Sequence, residues 1–345
     1  MFYEFYLPEK IRLLSIISDI FVYSTGIVTL ITSIFFNRRK LPCMLLKLTK
    51  VDEMIGPHKI KNIYKDTRLF IVRGIPVFLL LTTLIYLLGY FIRRDGTFAN
   101  FAQIYVGSSV ITINIFITLL YTDLIRILNY RYKYIIDDLE EHFKVKDMAV
   151  ITDFKVPNPN YLFYCKDFPL YPTVRSNSLS VSSDSCKIDI LRYVYVQLYD
   201  SVILLNSYFG IPILFEILTV IVSNVTALYS GLYFLRASHG DIKAGVIAFY
   251  MVFYGVQFLT AFAWFVTCCH NTSAEANRGV TSIQRIMGCS KVNHETSVEL
   301  EKLSSQLDKM KVQFTACGFF SLNLPLLCTA IGLILTYILI AVQIN

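Results

Sequence analysis

The chain has 345 residues, of which 55% are hydrophobic and only 17% are charged, and its mean hydropathy is +0.54. This composition excludes an ordinary soluble protein of the same size, because such a protein carries far more charge on its surface. The net charge of +7 occurs without any nucleic-acid-binding motif, so we expect the basic residues to face a membrane and we expect no nucleic-acid partner.

Six stretches of the chain are long and apolar enough to cross a lipid bilayer. A hydrocarbon core about 30 Å thick requires roughly 20 apolar residues in a helix. In chain order, the stretches are residues 13–36, 69–92, 101–123, 203–229, 244–268 and 318–342. They predict an all-α, polytopic transmembrane helical bundle with six visible spans.

The spans and the segments between them divide the chain into five regions. In chain order, these are residues 1–123 with the first three visible spans, 124–202 with cytoplasmic helices and a mobile loop, 203–268 with the fourth and fifth spans, 269–317 with a cytoplasmic helix, and 318–345 with the last span. Residues 1–12 contain neither a basic leader nor a convincing cleavage site, so we expect no removable signal peptide.

The distribution of basic residues predicts that both termini lie outside. Segments 37–68, 124–202 and 269–317 contain 25 of the 32 Lys and Arg residues, and basic segments near spans remain in the cytoplasm. This inverted topology places none of the eight cysteines in an outer loop, so we expect no external disulfide. Asn224 begins a glycosylation pattern, but we discount it because the site is too close to the membrane.

Three apolar stripes at helical spacing predict that spans continue as helices into the cytoplasm. The stripes are Leu128, Tyr132, Ile135, Leu139 and Phe143 after the third span; Ile188, Leu191, Tyr195, Leu198, Val202 and Leu205 before the fourth; and Leu300, Leu303, Leu307, Met310 and Phe314 before the last. Such stripes pack either within one chain or between chains, and the pattern leaves both open. Residues 155–187, rich in proline, serine and asparagine, predict a mobile loop.

The last span has one face of small and polar residues. With about 100° between successive residues of a helix, seven residues fall within one sector: Ser321, Pro325, Thr329, Gly332, Thr336, Leu339 and Gln343. Asn323, Ala330, Tyr337 and Ala341 gather on the opposite side. The polar face is either a close contact between helices or the lining of a water-filled path.

The end of the chain resembles the signature of the insect gustatory receptor family, whose members are related to insect odorant receptors. The matching residues are Thr336 and Tyr337, five hydrophobic residues, and Gln343, with Ile344 where the family has phenylalanine. The resemblance extends upstream through residues 298–327, which include the run TACGFF. Members of this family have seven spans, so the resemblance implies one more than the six visible here.

The resemblance implies a gustatory chemoreceptor of the plasma membrane. Family members are tetrameric, ligand-gated, non-selective cation channels, in which the last span of each subunit surrounds a central pore. A tastant of the bitter class, another small molecule or a sugar is the expected ligand, and the tetramer is expected to be homomeric or mixed with other gustatory receptors. Tyr337, on the side opposite the polar face, is expected to pack behind the pore helix and couple it to the other spans.

Within the pore that this resemblance implies, the polar face of the last span faces the axis. Leu339 is the only large apolar residue on that face, and a ring of leucines closes a pore by dewetting. We therefore predict that Leu339, helped by Ile340, is the gate. Gln343, one turn further out, is expected to meet entering cations, and Thr336 and Thr329 are expected to line the path below the gate.

The ligand pocket of the family lies in the outer half of the bundle and combines aromatic walls with a few polar groups. The candidates at that depth are Asp19, Tyr86, Gln103, Thr112, Glu216, Tyr250, Tyr254 and Gln257. The two carboxylates stand out, because a carboxylate inside a bilayer is costly and usually has a partner or a function. We expect no cofactor and no metal.

Three other classes of protein fit the sequence less well than a channel. A G-protein-coupled receptor is an alternative, although the chain lacks the outer disulfide, the cytoplasmic tail and the two motifs typical of that class. A secondary transporter is a second alternative, although no repeat of interrupted spans is evident. An enzyme is not expected, because the five histidines are scattered and no catalytic motif is present.

Overall fold

The computed structural model describes residues 9–56, 64–65, 68, 76, 80, 83–84, 98–149, 183–237, 242–289 and 293–343. Within these helices, the side chains of residues 10, 36, 98–113, 144–149, 183–184, 237, 242–243 and 289 are not described. The predicted second span, 69–92, and the predicted mobile loop, 155–187, therefore lie mostly outside the described residues.

Helices account for nearly all of the described chain, which confirms the all-α class. In chain order, the elements are α1 (Glu9–Ile31), a π-helical turn (Thr32–Phe36), α2 (Lys40–Ile55), α3 (Phe98–Ala149), α4 (Ser183–Ala237), α5 (Ile242–Cys289), α6 (His294–Lys309), β1 (Thr315–Ala316), β2 (Phe320–Ser321) and α7 (Leu324–Gln343). Four helical segments of the described chain are long and apolar enough to cross a membrane: Ile11–Phe35, Ser185–Arg236, Ala244–Gly288 and Leu324–Gln343.

Three of the helices are much longer than a membrane is thick. The helices α3, α4 and α5 have 52, 55 and 48 residues. At 1.5 Å per residue these helices are roughly 70 to 80 Å long, more than twice the thickness of the hydrocarbon core. Each runs without interruption across a boundary between a predicted span and a predicted cytoplasmic region. The predicted continuation of the third and fourth spans as long helices is therefore confirmed.

The apolar stripes on these extensions are buried within the single chain. Four leucines of these stripes are fully buried: Leu128 of α3, Leu198 of α4, and Leu300 and Leu303 of α6. All of them belong to one continuous apolar core that includes α2, α3, α4, α5 and α6. The question that the sequence left open is therefore answered, because these stripes pack within one chain and do not require a neighbouring subunit to cover them.

A buried ion pair joins α2 to α3 in this extension. The guanidinium of Arg131, which is 1% exposed, donates to both carboxylate oxygens of Asp52 at 2.8 and 2.7 Å. Arg131 also donates to the Ile127 carbonyl at 2.9 Å. The Tyr64 hydroxyl donates to Asp52 at 2.6 Å, and burial, followed by this hydrogen bond, raises the pKa of Tyr64 above its ordinary value. The buried charge is thus fully paired, as its low-dielectric surroundings require.

The structure departs from the sequence-based predictions at two places around these helices. No helix was predicted within residues 37–68, yet α2 occupies Lys40–Ile55. It is amphipathic, with Met44, Leu48 and Val51 buried at helical spacing. The predicted helix before the last span was also expected to continue into that span. Instead α6 ends at Lys309, so that Met310 and Phe314 lie beyond it.

The last span itself begins later than residue 318. A reversal occurs at Cys317 and Gly318, whose φ angles are +52° and +77°, and this reversal pairs β1 with β2 in antiparallel register. Ser321 therefore lies on a strand and not on the polar face of the last helix. Asn323 caps α7, because its side-chain oxygen accepts a hydrogen bond from the Leu326 N–H at 3.2 Å. Pro325 follows in the first turn, where its missing N–H costs no helical hydrogen bond.

We predict that Asp52→Ala destabilises the chain by about 3 to 5 kcal/mol, because it leaves the buried Arg131 charge unpaired. The apparent melting temperature of the detergent-solubilised protein measures this loss. Glu53→Ala, at an exposed position next to Asp52, is the matched control and should melt close to wild type. Equal melting temperatures for the two variants would show that the ion pair contributes nothing to stability.

Candidate functional site

The helix α7 has one face buried by its own chain and one face left open. Ala330 and Ile334 are 1% and 3% exposed, and they lie on the side that packs against α4 and α5. The opposite side is exposed along its whole length, at Pro325, Thr329, Gly332, Thr336, Leu339 and Gln343. Apart from Ser321, which is not helical, the exposed residues include every member of the predicted polar face.

The two threonine hydroxyls on this open face present acceptor oxygens. The Thr329 hydroxyl donates to the Pro325 carbonyl at 2.9 Å, and the Thr336 hydroxyl donates to the Gly332 carbonyl at 2.8 Å. Each hydroxyl proton is therefore already used within the helix. The threonine oxygens retain lone pairs that can accept further hydrogen bonds.

The two residues predicted to form the gate are both exposed in the single chain. Leu339 is 62% exposed and Ile340 is 44% exposed. Tyr337, which was expected to pack behind the pore helix, is 53% exposed in the single chain. Gln343 is the last residue of α7, and it is exposed.

The candidates for ligand contact are brought together only in part among the described residues. Tyr250, Tyr254 and Gln257 are partly buried on one face of α5. The rings of Tyr250 and Tyr254 are stacked with centroids 6.5 Å apart, and Tyr254 lies 4.9 Å from the ring of Phe258. This row of aromatic rings supplies the apolar wall that a pocket for a small molecule needs.

The other predicted contacts are scattered or lie outside the described residues. Asp19 is exposed on α1, and Glu216 is partly buried on α4. Gln103 and Thr112 belong to α3, but their side chains are not described, and Tyr86 lies outside the described residues. The described part of the chain therefore does not join these residues into one site.

Two buried asparagines were missed as candidates. Asn224 of α4 and Asn114 of α3 are 1% and 2% exposed. The Asn224 side-chain amide donates to the Val220 carbonyl at 2.8 Å, and that of Asn114 donates to the Val22 carbonyl at 3.2 Å. Among the described residues, the side-chain oxygen of each accepts no hydrogen bond. The sequence signal was present, because an amide within a span is costly unless it has a partner.

Hydroxyl groups also join α1 to α4 within the bundle. Ser18 and Ser223 share a hydrogen bond of 3.1 Å between their oxygens, and Thr25 and Thr219 share one of 2.7 Å. Such hydrogen bonds satisfy polar groups between membrane helices and hold the helices together. Asn224 follows Ser223 directly, so its burial fits its place beside this contact.

Comparison with other proteins identifies relatives of the whole chain. A family model described as 7tm Chemosensory receptor matches residues 1–345. The chain is similar in structure to the insect olfactory receptor OR5 from Machilis hrabei, with a TM-score of 0.70 and 12% sequence identity over 97% of this chain and 82% of that receptor. The same receptor in complex with eugenol gives a TM-score of 0.64 and 10% identity over 98% and 83%. None of the curated proteins matches the chain in sequence.

We predict that Gly255→Val destabilises the bundle by about 1 to 3 kcal/mol through overpacking. A Cβ atom at Gly255 would lie 3.2 Å from the Asn224 side-chain oxygen and 3.4 Å from the Ala227 Cβ. The control is Gly245→Val on the same helix, since a Cβ there meets nothing within 4 Å. Thermal unfolding in detergent compares the two variants, and a lower melting temperature for the Gly245 variant would contradict this account of α4–α5 packing.

Proposed function

The chain belongs to the 7tm chemosensory receptor family, and on this premise we propose that it is a gustatory chemoreceptor that works as a ligand-gated, non-selective cation channel. The channel acts in the plasma membrane and opens when a small-molecule tastant binds. Four subunits, either all of this chain or mixed with other gustatory receptors, surround one pore. The observation that supports this most directly is the exposed polar face of α7.

A face of this kind needs water or a partner opposite it. In lipid, the Gln343 amide and the remaining acceptor lone pairs of the threonines are unfavourable without partners, whereas polar groups are tolerated along a water-filled cavity. The α7 helix has 20 residues and is about 30 Å long, which matches the hydrocarbon core. Four copies placed with Ala330 and Ile334 toward their own bundles present their polar faces to a common axis.

The chemistry of that face suits cations. The threonine oxygens at positions 329 and 336 present only lone pairs, and the Gln343 side chain adds a carbonyl oxygen at the outer end. Oxygen atoms of this kind replace part of the hydration shell of a cation. Leu339 interrupts the series, and four leucines at this level close the path to water and ions when the helices lie close together.

The ligand site in this proposal lies between the outer halves of α4 and α5. The aromatic row of Tyr250, Tyr254 and Phe258 forms one wall, and Gln257 lies on the same face. Asn224 contributes a buried oxygen that has no donor within the described residues, so a ligand with an N–H or O–H group would remove an unfavourable buried acceptor. The related OR5 is named in complex with eugenol, a small aromatic molecule with a hydroxyl group, and we propose ligands of that class for this chain.

The channel function is tested in excised membrane patches from cells that express the chain, with a panel of small aromatic alcohols, bitter compounds and sugars. We expect at least one compound to evoke cation current without added nucleotides or soluble proteins, because the pore and the ligand site belong to the same molecule. A response in intact cells that disappears in every excised patch would instead support coupling to a G protein. Substrate-dependent accumulation without channel openings would support a transporter.

We predict that Leu339→Ser channels conduct without ligand, because a ring of hydroxyl groups keeps the constriction wet. Excised patches should then show a standing cation current about ten times that of wild type or more, which corresponds to a change of roughly 1.4 kcal/mol in the opening equilibrium. Leu333→Ser replaces another exposed leucine of α7 outside the polar face and should leave the standing current low. Normal surface expression with no standing current would reject Leu339 as the gate.

A further inference from the structure

The segment between α6 and α7 is held by two asparagine side chains that reach it from other helices. Residues 310–323 include the short β1–β2 hairpin and connect the end of the cytoplasmic helix α6 to the start of the exposed helix α7. Asn277 comes from α5 and Asn206 comes from α4. Each of these side chains binds the backbone of the segment through both of its polar atoms.

Asn277 pairs with a single residue of the segment. Its side-chain amide donates to the Val312 carbonyl at 3.0 Å, and its side-chain oxygen accepts from the Val312 N–H at 3.0 Å. Two antiparallel hydrogen bonds of this kind reproduce the pairing that a neighbouring β-strand would offer. The amide therefore fixes both the position and the orientation of the backbone at Val312.

Asn206 holds the next part of the segment from the other side. Its side-chain amide donates to the Gln313 carbonyl at 2.8 Å, and its side-chain oxygen accepts from the Thr315 N–H at 3.3 Å. Together the two asparagines satisfy four backbone groups within residues 312–315. These groups have no helical partner, because α6 has ended and α7 has not begun.

The apolar contacts around this segment leave little room for independent motion. Val312, Phe314 and Ala316 are buried, with exposures of 0%, 1% and 0%. Gly210 of α4 approaches so closely that a Cβ atom there would lie 3.1 Å from the Cys317 backbone nitrogen. A displacement of α4 or α5 at this level therefore cannot be absorbed by the connection without breaking hydrogen bonds or packing.

We propose that Asn206 and Asn277 form an amide clamp that transmits displacements of α4 and α5 to the pore helix α7. Both helices also carry the candidate ligand residues in their outer halves, so a ligand that shifts them moves the clamped segment and with it the first turn of α7. The asparagines are positioning residues, because they contact neither the ligand nor the pore. The mechanical link stands on the contacts, whereas its role in gating rests on the proposed channel function.

Asn→Asp substitutions test the link, because they keep the size of the side chain and replace the N–H donor with an oxygen that repels the carbonyl opposite. Hydrogen–deuterium exchange is measured on the full-length protein in lipid nanodiscs for Asn277→Asp and Asn206→Asp. We expect exchange to become about threefold faster or more both in residues 311–316 and in the first two turns of α7. Asn271→Asp, at an exposed position on α5, should leave both regions at the wild-type rate.

The residues in which exchange becomes faster distinguish a mechanical link to α7 from a contact that acts only within residues 311–316. Faster exchange confined to residues 311–316, with α7 unchanged, would overturn the proposal. A variant that is poorly folded would lose protection throughout α4 and α5 as well, and the other asparagine variant then decides the question. Loss of protection throughout the fold in both variants would also overturn the proposal, since the asparagines would then serve general stability.

Single-channel recording in excised patches without added ligand tests the role in gating. We expect the clamp variants to keep the wild-type unitary conductance, while their spontaneous open probability changes by about threefold or more, a typical size for coupling within a protein. An altered conductance with unchanged open probability would overturn the gating role, because the asparagines would then shape the pore itself. A Leu339→Ser channel that fails to conduct would reject the gate but would leave the exchange result for the clamp unaffected.

Discussion

The constraint on which this structure depends is that a polar group within a membrane must find a partner inside the protein or in enclosed water. Within the bundle, serine and threonine hydroxyls meet this constraint by bonding across the contact between α1 and α4. The polar face of α7 meets it only in part, because its threonines bond within the helix and its remaining oxygens face outward. The same constraint therefore holds the bundle together and leaves the polar face of α7 as its exception, exposed in the single chain.

In the long helical extensions, burial of apolar side chains is the main source of order. The extensions of α3, α4 and α5 bury their stripes against one another and against α2 and α6. Polar cross-links then set the register of these helices, as Arg131 does with Asp52. Glu299 of α6 belongs to the same group, because hydrogen bonds from Lys302 and Arg192 hold the pKa of its carboxyl below the ordinary value.

Much of this architecture could be predicted from the sequence, because it depends on periodic burial. The stripe from Ile188 to Leu205 predicted a long helix entering a span, and α4 has that form. The break before the last span was missed because Phe319, Phe320 and Leu322 make residues 318–323 resemble the start of the apolar stretch that follows. The signals that decide it are local: the positive φ angles at Cys317 and Gly318 and the cap at Asn323. The buried amides of Asn114 and Asn224 were missed for a different reason. Both lie within predicted spans, but the sequence does not show that their side-chain oxygens lack a hydrogen-bond donor among the described residues.

The amide clamp has a consequence for how sequences of this kind can diverge. Asn206 and Asn277 bind carbonyl and N–H groups that every residue except proline possesses in full, so they are indifferent to the side chains of residues 312, 313 and 315. Substitutions in the connection are then limited by the space around the buried residues Val312, Phe314 and Ala316 and by the exclusion of proline at Val312 and Thr315. The connection can accumulate replacements while its geometry is kept, provided that Asn206 and Asn277, which are distant from it in sequence, are retained.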